Sequence, residues 1–184
     1  MKIAILQSGF LPIPPLRGGA GEKMRHQLGV ELAARGHAVT HRSRLCDGLA
    51  EDENVAGVHP LHRPGFDRPR SAWRAHWQDL RWGLRARAAL PAADIVITNS
   101  FCAPMLLSPD RGAIYVDVQR MPKGQVRFYR DAARPRTNST AAAKAIVARG
   151  ADPRRAHAYP SVGGACSSGA RNPCQRSHRG AFPH

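Results

Sequence analysis

The fold is decided by residues 2–40, which read KIAILQSGFLPIPPLRGGAGEKMRHQLGVELAARGHAVT. The apolar run Ile3–Leu6 is typical of a buried parallel strand. Residues 22–35 predict a helix with an apolar face at helical spacing, made of Met24, Leu28, Leu32 and Ala33. Gly36 is expected to end this helix, and His37–Thr40 to begin a second strand. Strand, helix and strand in this order predict one βαβ unit of an α/β fold.

The loop between the first strand and the helix is rich in glycine, with Gly18, Gly19 and Gly21. A dinucleotide-binding fingerprint needs a third glycine where Met24 stands, and a P-loop needs Lys and a hydroxyl residue where Glu-Lys-Met follows Gly21. What remains is Gly18 and Gly19 ahead of a helix N-terminus. The missing β-carbons and the unpaired N–H groups suit an anion there. An ordinary irregular turn explains the same two glycines equally well.

Three further apolar runs predict strands, at residues 54–59, 94–99 and 113–118. Two periodic stretches predict helices, at residues 71–90 and 138–150, the second with Ser139 as its N-cap and Gly150 as its terminator. Together they predict a Rossmann-like parallel sheet with flanking helices. Ligands bind at the carboxyl ends of parallel strands. We therefore expect a cleft walled by residues 8–21, 98–102 and 119–129.

The helix at residues 71–90 combines apolar and basic side chains. Its apolar stripe comprises Trp73, Trp77, Leu80 and Leu84, and the opposite face carries Arg74, Arg81 and Arg85. The spacing predicts that the apolar stripe packs on the sheet. The alternative is a basic helix with interleaved tryptophans that binds nucleic acid or a membrane.

Length and composition indicate one ordinary domain, or one domain with an appendage: 184 residues, 42% hydrophobic, and 28 Lys+Arg against 13 Asp+Glu, a net charge of +15. Such a balance favours an anionic partner, although an Arg-rich excess is also what a GC-rich gene produces. The four cysteines have no metal-ligand spacing. Neither a signal peptide nor a membrane span is evident. We expect a cytoplasmic protein whose basic surface allows peripheral association with the anionic inner membrane face.

The last part of the chain differs in character. Residues 161–184 have no periodicity, no acidic residue, and one hydrophobic side chain larger than Val, Phe182. We expect this tail to be unstructured, with residues 1–160 as the folded domain.

The opening stretch, taken with three later ones, resembles family 4 glycosyltransferases of the GT-B type. The later stretches are ADIVITNS (93–100), IYVDVQRMPKGQVRFYR (114–130) and NSTAAAKAIVARGADPRRAHAYP (138–160). The resemblance covers residues 1–160, and the ordered combination is more specific than any single stretch. It implies the N-terminal, acceptor-side half of a GT-B fold, in a retaining enzyme that transfers a hexosyl group from a nucleotide-sugar to a hydroxyl acceptor.

The resemblance also implies roles for particular residues. Gly18 and Gly19 would approach the donor phosphates or sugar. The acceptor side of the cleft would be lined by Asn99, Ser100 and Phe101, with a polar loop of Gln119, Arg120, Lys123, Gly124 and Gln125. The nucleotide-sugar is a co-substrate, and neither a further cofactor nor a metal is implied.

Two departures from the family pattern bear on activity. Many family members carry a His just after the strand equivalent to residues 113–118, whereas this chain has Gln119, and no catalytic residue can be assigned. After Pro160 the chain reads Ser161-Val-Gly-Gly, and no donor-binding domain follows. We therefore expect a truncated or frameshifted product that is inactive alone.

Two alternatives stay open at this point. One is a basic module that binds nucleic acid or another anion without catalysis, although no nucleic-acid motif is present and a specific nucleic acid is not expected. The other is a metal pair formed by His59 and His62, for which a surface turn is the simpler explanation.

Overall fold

The computed structural model describes residues 1–14, 19–46, 49, 54, 56–67, 69–119, 121–122, 124–129, 133–152, 154 and 156–158. The tail at residues 161–184 lies outside them, so its expected lack of structure stays a prediction.

The described residues form a parallel sheet of seven strands. The strands are β1 (Lys2–Leu6), β2 (Ala38–Arg44), β3 (Val58–Arg63), β4 (Ile95–Thr98), β5 (Ala113–Asp117), β6 (Ala133–Thr137) and β7 (His157–Ala158). Their order in space is β3-β2-β1-β4-β5-β6-β7. The chain runs outward from β1 through β2 and β3, then returns to the other side of β1 with β4. This reversal between β1 and β4 is the switch point of a Rossmann-like sheet, and it confirms the predicted fold class.

Helices cover both faces of the sheet: α1 (Ala20–Ala34), α2 (Ala72–Ala89), α3 (Ala103–Leu106) and α4 (Thr140–Ala148). Side chains alternate along β1, so Ile3 and Ile5 join the smaller apolar cluster with α1. Ala4 and Leu6 point the other way, into the larger cluster with residues of α2, α3 and α4. The domain therefore has three layers, with an apolar core on each side of the sheet.

The face that α1 buries is the predicted one only in part, with Leu28, Leu32 and Ala33 packed against the core on this side of the sheet. Met24 is exposed, while Arg25 and Gly29 are the buried residues of this helix. A β-carbon on Gly29 would lie 3.5 Å from Ile5 and 3.7 Å from Val58, which is ordinary packing distance, so this position faces the sheet and would also accept alanine. Arg25 is buried because acidic and amide side chains compensate its charge in the interior. The apolar periodicity of the helix does not predict this.

Other helices and strands were predicted with the correct type, but some of their boundaries differ from the predicted ones. The third strand was predicted at residues 54–59 and runs from Val58 to Arg63. Ser139 caps α4 as predicted, by accepting a hydrogen bond from the N–H of Ala142, and Gly150 follows the helix at a φ of 90°. No strand was predicted at β6, because Pro135 and two arginines interrupt its apolar pattern.

The prediction that the tryptophan stripe of α2 packs on the sheet is wrong. The buried positions of this helix are Asp79, Trp82, Gly83 and Ala86, which repeat at helical spacing. Trp73 and Trp77 lie on the opposite, exposed side.

A buried histidine couples the stability of this fold to pH. His41 on β2 is 2% exposed, and its Nε2 has no hydrogen-bond partner among the described residues. Burial, with smaller contributions from the neighbouring Arg25, His26 and His62, lowers the pKa of His41 to about 3. The folded protein therefore keeps this ring neutral at pH values where the unfolded chain protonates it.

We predict that replacing His41 with Gln flattens the acid side of the stability curve. The folded-state pKa is depressed below the ordinary histidine pKa of 6.5, so wild type loses stability as the pH falls from about 6.5 towards 3. Gln does not titrate and removes that contribution. Urea unfolding at pH 7.5, 6, 5 and 4 measures how the free energy of unfolding changes with pH. If this free energy fell equally steeply in H41Q and in wild type, His41 would not be the group responsible.

Candidate functional site

A cleft of about 1040 Å³ lies at the carboxyl ends of the central strands. Its floor is formed where β1, β4 and β5 end, at Ser8, Asn99 and Asp117. One wall is the start of α1, and another is the N-terminal half of α2, which contributes His76 and Asp79. The cleft therefore occupies the switch point where ligands bind in open parallel sheets.

Half of the predicted site residues converge on this cleft. Its lining includes Gly19, Asn99, Ser100, Phe101 and Gln119. Outside the described residues lie Gly18, Arg120 and Lys123, together with the side chain of Gln125. Residues 119–125 were predicted as a polar loop, but Gly124–Tyr129 is a 3₁₀ helix whose Val126 and Tyr129 belong to the core. Gly124 begins this helix and is not among the described residues that line the cleft.

The predicted anion position at the start of α1 already holds a carboxylate. Gly19 caps the helix with a φ of 102°, and a β-carbon there would collide with the carboxylate of Glu22. Glu22 accepts a hydrogen bond from Nε2 of Gln7 (2.8 Å) and lies 3.6 Å from the guanidinium of Arg25. An anionic ligand reaches the helix N-terminus only if Glu22 turns away from Gly19.

A second glycine of the loop lets a predicted site residue approach the helix. A β-carbon on Gly21 would lie 2.5 Å from Oε1 and 2.7 Å from Nε2 of Gln119. The amide of Gln119 therefore lies directly on the helix backbone, where any side chain larger than hydrogen would displace it. This contact joins the start of α1 to the residues that follow β5.

The residues after β4 present one amide and one aromatic ring to the cleft. Asn99 Oδ1 accepts a hydrogen bond from the N–H of Ser8 (2.9 Å), which ties β1 to β4 where both strands end. Phe101 stacks on His76, with ring centroids 4.4 Å apart and planes 16° from parallel. Its carbonyl accepts a hydrogen bond from the hydroxyl of Tyr129 (3.0 Å). Phe101 is thus held from two sides, and it is half-buried.

Ser100 is engaged in holding α3 in place. Its hydroxyl donates to Oδ2 of Asp79 (2.9 Å) and accepts from the N–H of Ala103 (3.0 Å), and the N–H of Cys102 also donates to Asp79 (2.8 Å). Burial raises the pKa of Asp79. Burial and the neighbouring Asp79 raise the pKa of Cys102 to about 12, so its thiol stays protonated at neutral pH. This cluster anchors the cleft wall and offers no thiolate nucleophile.

A buried ionic network below the cleft was missed by the sequence analysis. The guanidinium of Arg25 donates to Oε1 of Gln7 and lies 3.4 Å from Oδ2 of Asp117. Asp117 also accepts two hydrogen bonds from Arg136 on β6, at 2.7 and 3.1 Å. The network links α1 to β1, β5 and β6. Asp117 was recognisable as a polar strand end, but Arg25 was not, because it stands in an apolar helical pattern.

The described lining carries more acidic than basic side chains and offers several hydrogen-bond acceptors. Four carboxylates line the cleft: Glu22, Asp67, Asp79 and Asp117. Within the part of the lining that the structure describes, Arg44 is the one Lys or Arg, and it bonds to Asp67 and to the carbonyls of Phe10 and Phe66. Carboxylate and amide oxygens accept hydrogen bonds from hydroxyls.

His59 and His62 lie on β3, neither in the surface turn that was expected for them nor as a metal pair on one face of the sheet. His59 and His62 are three residues apart on β3, so they point to opposite faces. His62 Nε2 lies 2.6 Å from the carbonyl oxygen of Ile13. The described residues contain no group of three or more His, Cys, Asp or Glu arranged to hold a metal ion.

The fold is similar to that of two solved proteins. For sucrose-phosphate synthase from Thermosynechococcus elongatus, the TM-score is 0.60 at 15% sequence identity, over 86% of this chain and 47% of that one. For Anabaena HepE, solved in complex with UDP-glucose, it is 0.53 at 14% identity, over 86% and 43%. No protein-family model and no curated protein sequence matches the chain.

At these identities the similarity establishes the fold alone. This chain spans less than half the length of either protein. Its described residues form a Rossmann-like α/β domain like one found in both, which agrees with the predicted N-terminal half of a GT-B fold.

We predict that replacing Asp117 with Asn lowers the free energy of unfolding by about 3–5 kcal/mol. Removing one member of a buried ion pair leaves its partner charges uncompensated away from water. The carboxylate of Asp117 is 2% exposed and 2.7 Å from Arg136. Urea unfolding at pH 7 measures the change.

The matched control is Asp67→Asn. Asp67 also lies 2.7 Å from an arginine, Arg44, but its side chain is 92% exposed. This substitution should leave the free energy of unfolding nearly unchanged, because water and salt weaken an exposed pair. If the free energy of unfolding of Asp117→Asn were as little changed as that of Asp67→Asn, the network under the cleft would not be a stabilising element.

Proposed function

We propose that residues 1–160 form the acceptor-side domain of a retaining glycosyltransferase that moves a hexosyl group from a nucleotide-sugar to a hydroxyl acceptor. The observation that carries the proposal is the convergence of Gly19, Asn99, Phe101 and Gln119 on one cleft at the switch point of the sheet. The fold similarity to a protein solved with UDP-glucose supports it. The nucleotide-sugar is a co-substrate, and we propose no further cofactor.

The acceptor binds in the part of the cleft between α1 and the end of β4. Glu22 supplies carboxylate oxygens for acceptor hydroxyls, and the amides of Asn99 and Gln119 supply donors and acceptors. The ring of Phe101 offers an apolar surface to the C–H face of a sugar. This combination of a few polar groups and one aromatic ring orients a neutral, hydroxyl-rich molecule.

The donor diphosphate approaches the start of α1, at Gly18 and Gly19. Glu22 must leave the α-carbon of Gly19 when the donor arrives, and in doing so it gives up or adjusts the hydrogen bond that it now accepts from Gln7. Arg120 and Lys123, on the segment after β5, are proposed to neutralise the leaving diphosphate. In retaining transfer of this kind the main task is to stabilise the leaving diphosphate and the positive sugar ring.

We propose that this chain alone does not transfer sugar. A cleft that stays open to solvent leaves the reacting groups wet and poorly oriented, and both conditions slow the transfer. The domain is expected to bind its acceptor without turnover.

The prediction is that a neutral hexoside binds and that no transfer product forms. Saturation-transfer NMR with methyl glycosides of glucose, mannose and galactose should show binding of at least one. Phe101→Ala should abolish the signal by removing the ring beneath the sugar. Radiolabelled UDP-, GDP- and ADP-sugars, added with that hexoside, should give no product above a Gly19→Trp control.

Two further variants separate ligand binding from folding. Asn99→Asp keeps the oxygen that accepts from Ser8 but loses the amide donor, whereas Asn99→Ala loses both. The thermal midpoint should fall in the Ala variant only, and hexoside binding should weaken in both. Absence of binding for every hexoside in the folded wild-type domain would overturn the acceptor-side assignment.

A further inference from the structure

The outward side of α2 exposes large apolar side chains to water. Trp73 is 78% exposed, Trp77 is 56% exposed and Leu84 is 48% exposed. The third tryptophan of the helix, Trp82, is 2% exposed and packs in the core, with its Nε1 donating to the carbonyl of Gln7 (2.9 Å). Trp82 therefore packs α2 against the sheet, and Trp73 and Trp77 do not contribute to that packing. Neighbouring exposed apolar groups of this size mark an interaction surface.

Helix geometry places these side chains in one stripe beside a basic one. At 3.6 residues per turn, Trp73, Leu84 and Trp77 fall within an arc of about 40°. Arg74, Arg81 and Arg85 fall within the adjoining arc of similar width, and all three are exposed. We call these six residues the α2 face. The one acidic residue of α2, Asp79, is buried on the opposite side, where it holds Ser100 and Cys102.

This arrangement matches the chemistry of a lipid surface. Indole rings favour the boundary between headgroups and acyl chains, because they combine a large apolar body with one N–H donor. Guanidinium groups beside them pair with lipid phosphates, and their stems cover apolar surface. We propose that the α2 face docks on an anionic lipid bilayer, with the tryptophans inserted among the headgroups and the arginines on the phosphates.

Two other occupants fit the face less well. Duplex nucleic acid would satisfy the arginines, but it offers little apolar surface to Trp73, Trp77 and Leu84. A protein partner would have to supply several carboxylates at an interface core, where charged groups are depleted. None of the described helices is long and apolar enough to cross a bilayer, so the contact proposed is a surface contact. It does not depend on the proposed glycosyl transfer.

The face lies next to the cleft. His76 and Asp79, on the same helix, line the cleft, while Trp73 and Trp77 project from its outer side. Docking through the α2 face would therefore hold one wall of the cleft close to the lipid headgroups.

The first experiment uses the wild-type chain and vesicles that contain 30% phosphatidylglycerol brominated in its acyl chains. Trp73 and Trp77 should be quenched and Trp82 should not, so a part of the emission persists at saturation. The Trp73→Phe, Trp77→Phe variant keeps apolar rings and should still bind, but its remaining emission from Trp82 should not be quenched. Quenching of Trp82 in this variant would contradict the docking geometry.

The second experiment measures cosedimentation with the same vesicles without bromine. The Arg74→Gln, Arg81→Gln, Arg85→Gln variant should bind about 100-fold more weakly, at about fivefold per arginine. The Trp73→Ser, Trp77→Ser variant should bind at least about tenfold more weakly than wild type. The matched control, Arg35→Gln, Arg149→Gln, Arg154→Gln, makes the same charge change at exposed arginines away from the face and should stay within about threefold of wild type.

Each remaining outcome decides against the proposal. No binding of the folded wild-type chain to anionic vesicles overturns it. Equal losses in the two arginine triples would mean that net charge, and not the α2 face, holds the protein. Binding that is insensitive to the tryptophan substitutions and is displaced by single-stranded DNA would assign the face to nucleic acid.

Discussion

The guanidinium of Arg25 is the group on which the site depends. It is fully buried at the carboxyl edge of the sheet, where it meets Gln7 from β1, Glu22 from its own helix and Asp117 from β5. A buried charge is tolerated only when its partners compensate it. The carboxyl ends of β1 and β5 and the start of α1 must therefore lie side by side around the guanidinium. This arrangement forms the floor of the cleft. Because Arg25 holds α1 next to the end of β5, Gly19 and Gln119 lie on the same side of the cleft.

The same constraint explains why the cleft is not a simple phosphate cradle. A helix N-terminus attracts an anion, and in this chain Glu22 supplies that anion. The carboxylate is held by Gln7 and lies near Arg25, so the helix dipole is already compensated before a ligand arrives. An incoming diphosphate has to compete with Glu22, whereas a hydroxyl can bond to it directly. The geometry thus favours hydroxyl ligands in the described part of the cleft.

The sequence predicted those parts of the fold that rest on apolar runs and on caps. Strands β1, β4 and β5 stand out because parallel strands buried on both faces read as continuous apolar segments. The predictions failed where polar residues are buried or apolar residues are exposed. Arg25 is buried and Met24 is exposed, because the partners of Arg25 lie far from it in the chain. Strand β6 has no apolar pattern to mark it, and the pairing of Arg136 with Asp117 is visible only in the folded structure.

Of the candidate site, the sequence located the backbone positions better than the roles of the side chains. Asn99 and Gln119 were found because strand ends mark the cleft, but the hydroxyl of Ser100 proved to be engaged by Asp79 and by the N–H of Ala103 at the start of α3. Glu22 and Asp79 were missed, since a carboxylate in a helix usually faces water and only the tertiary structure turns these two inward.

The most direct test of the central claim is an amide chemical-shift map of the ¹⁵N-labelled domain, titrated with a hexoside that it binds. The account predicts that the largest shifts cluster at Ser8, Asn99, Phe101 and Gln119, which meet only at the cleft. Shifts confined to the outer side of α2, or scattered over the basic surface, would contradict it.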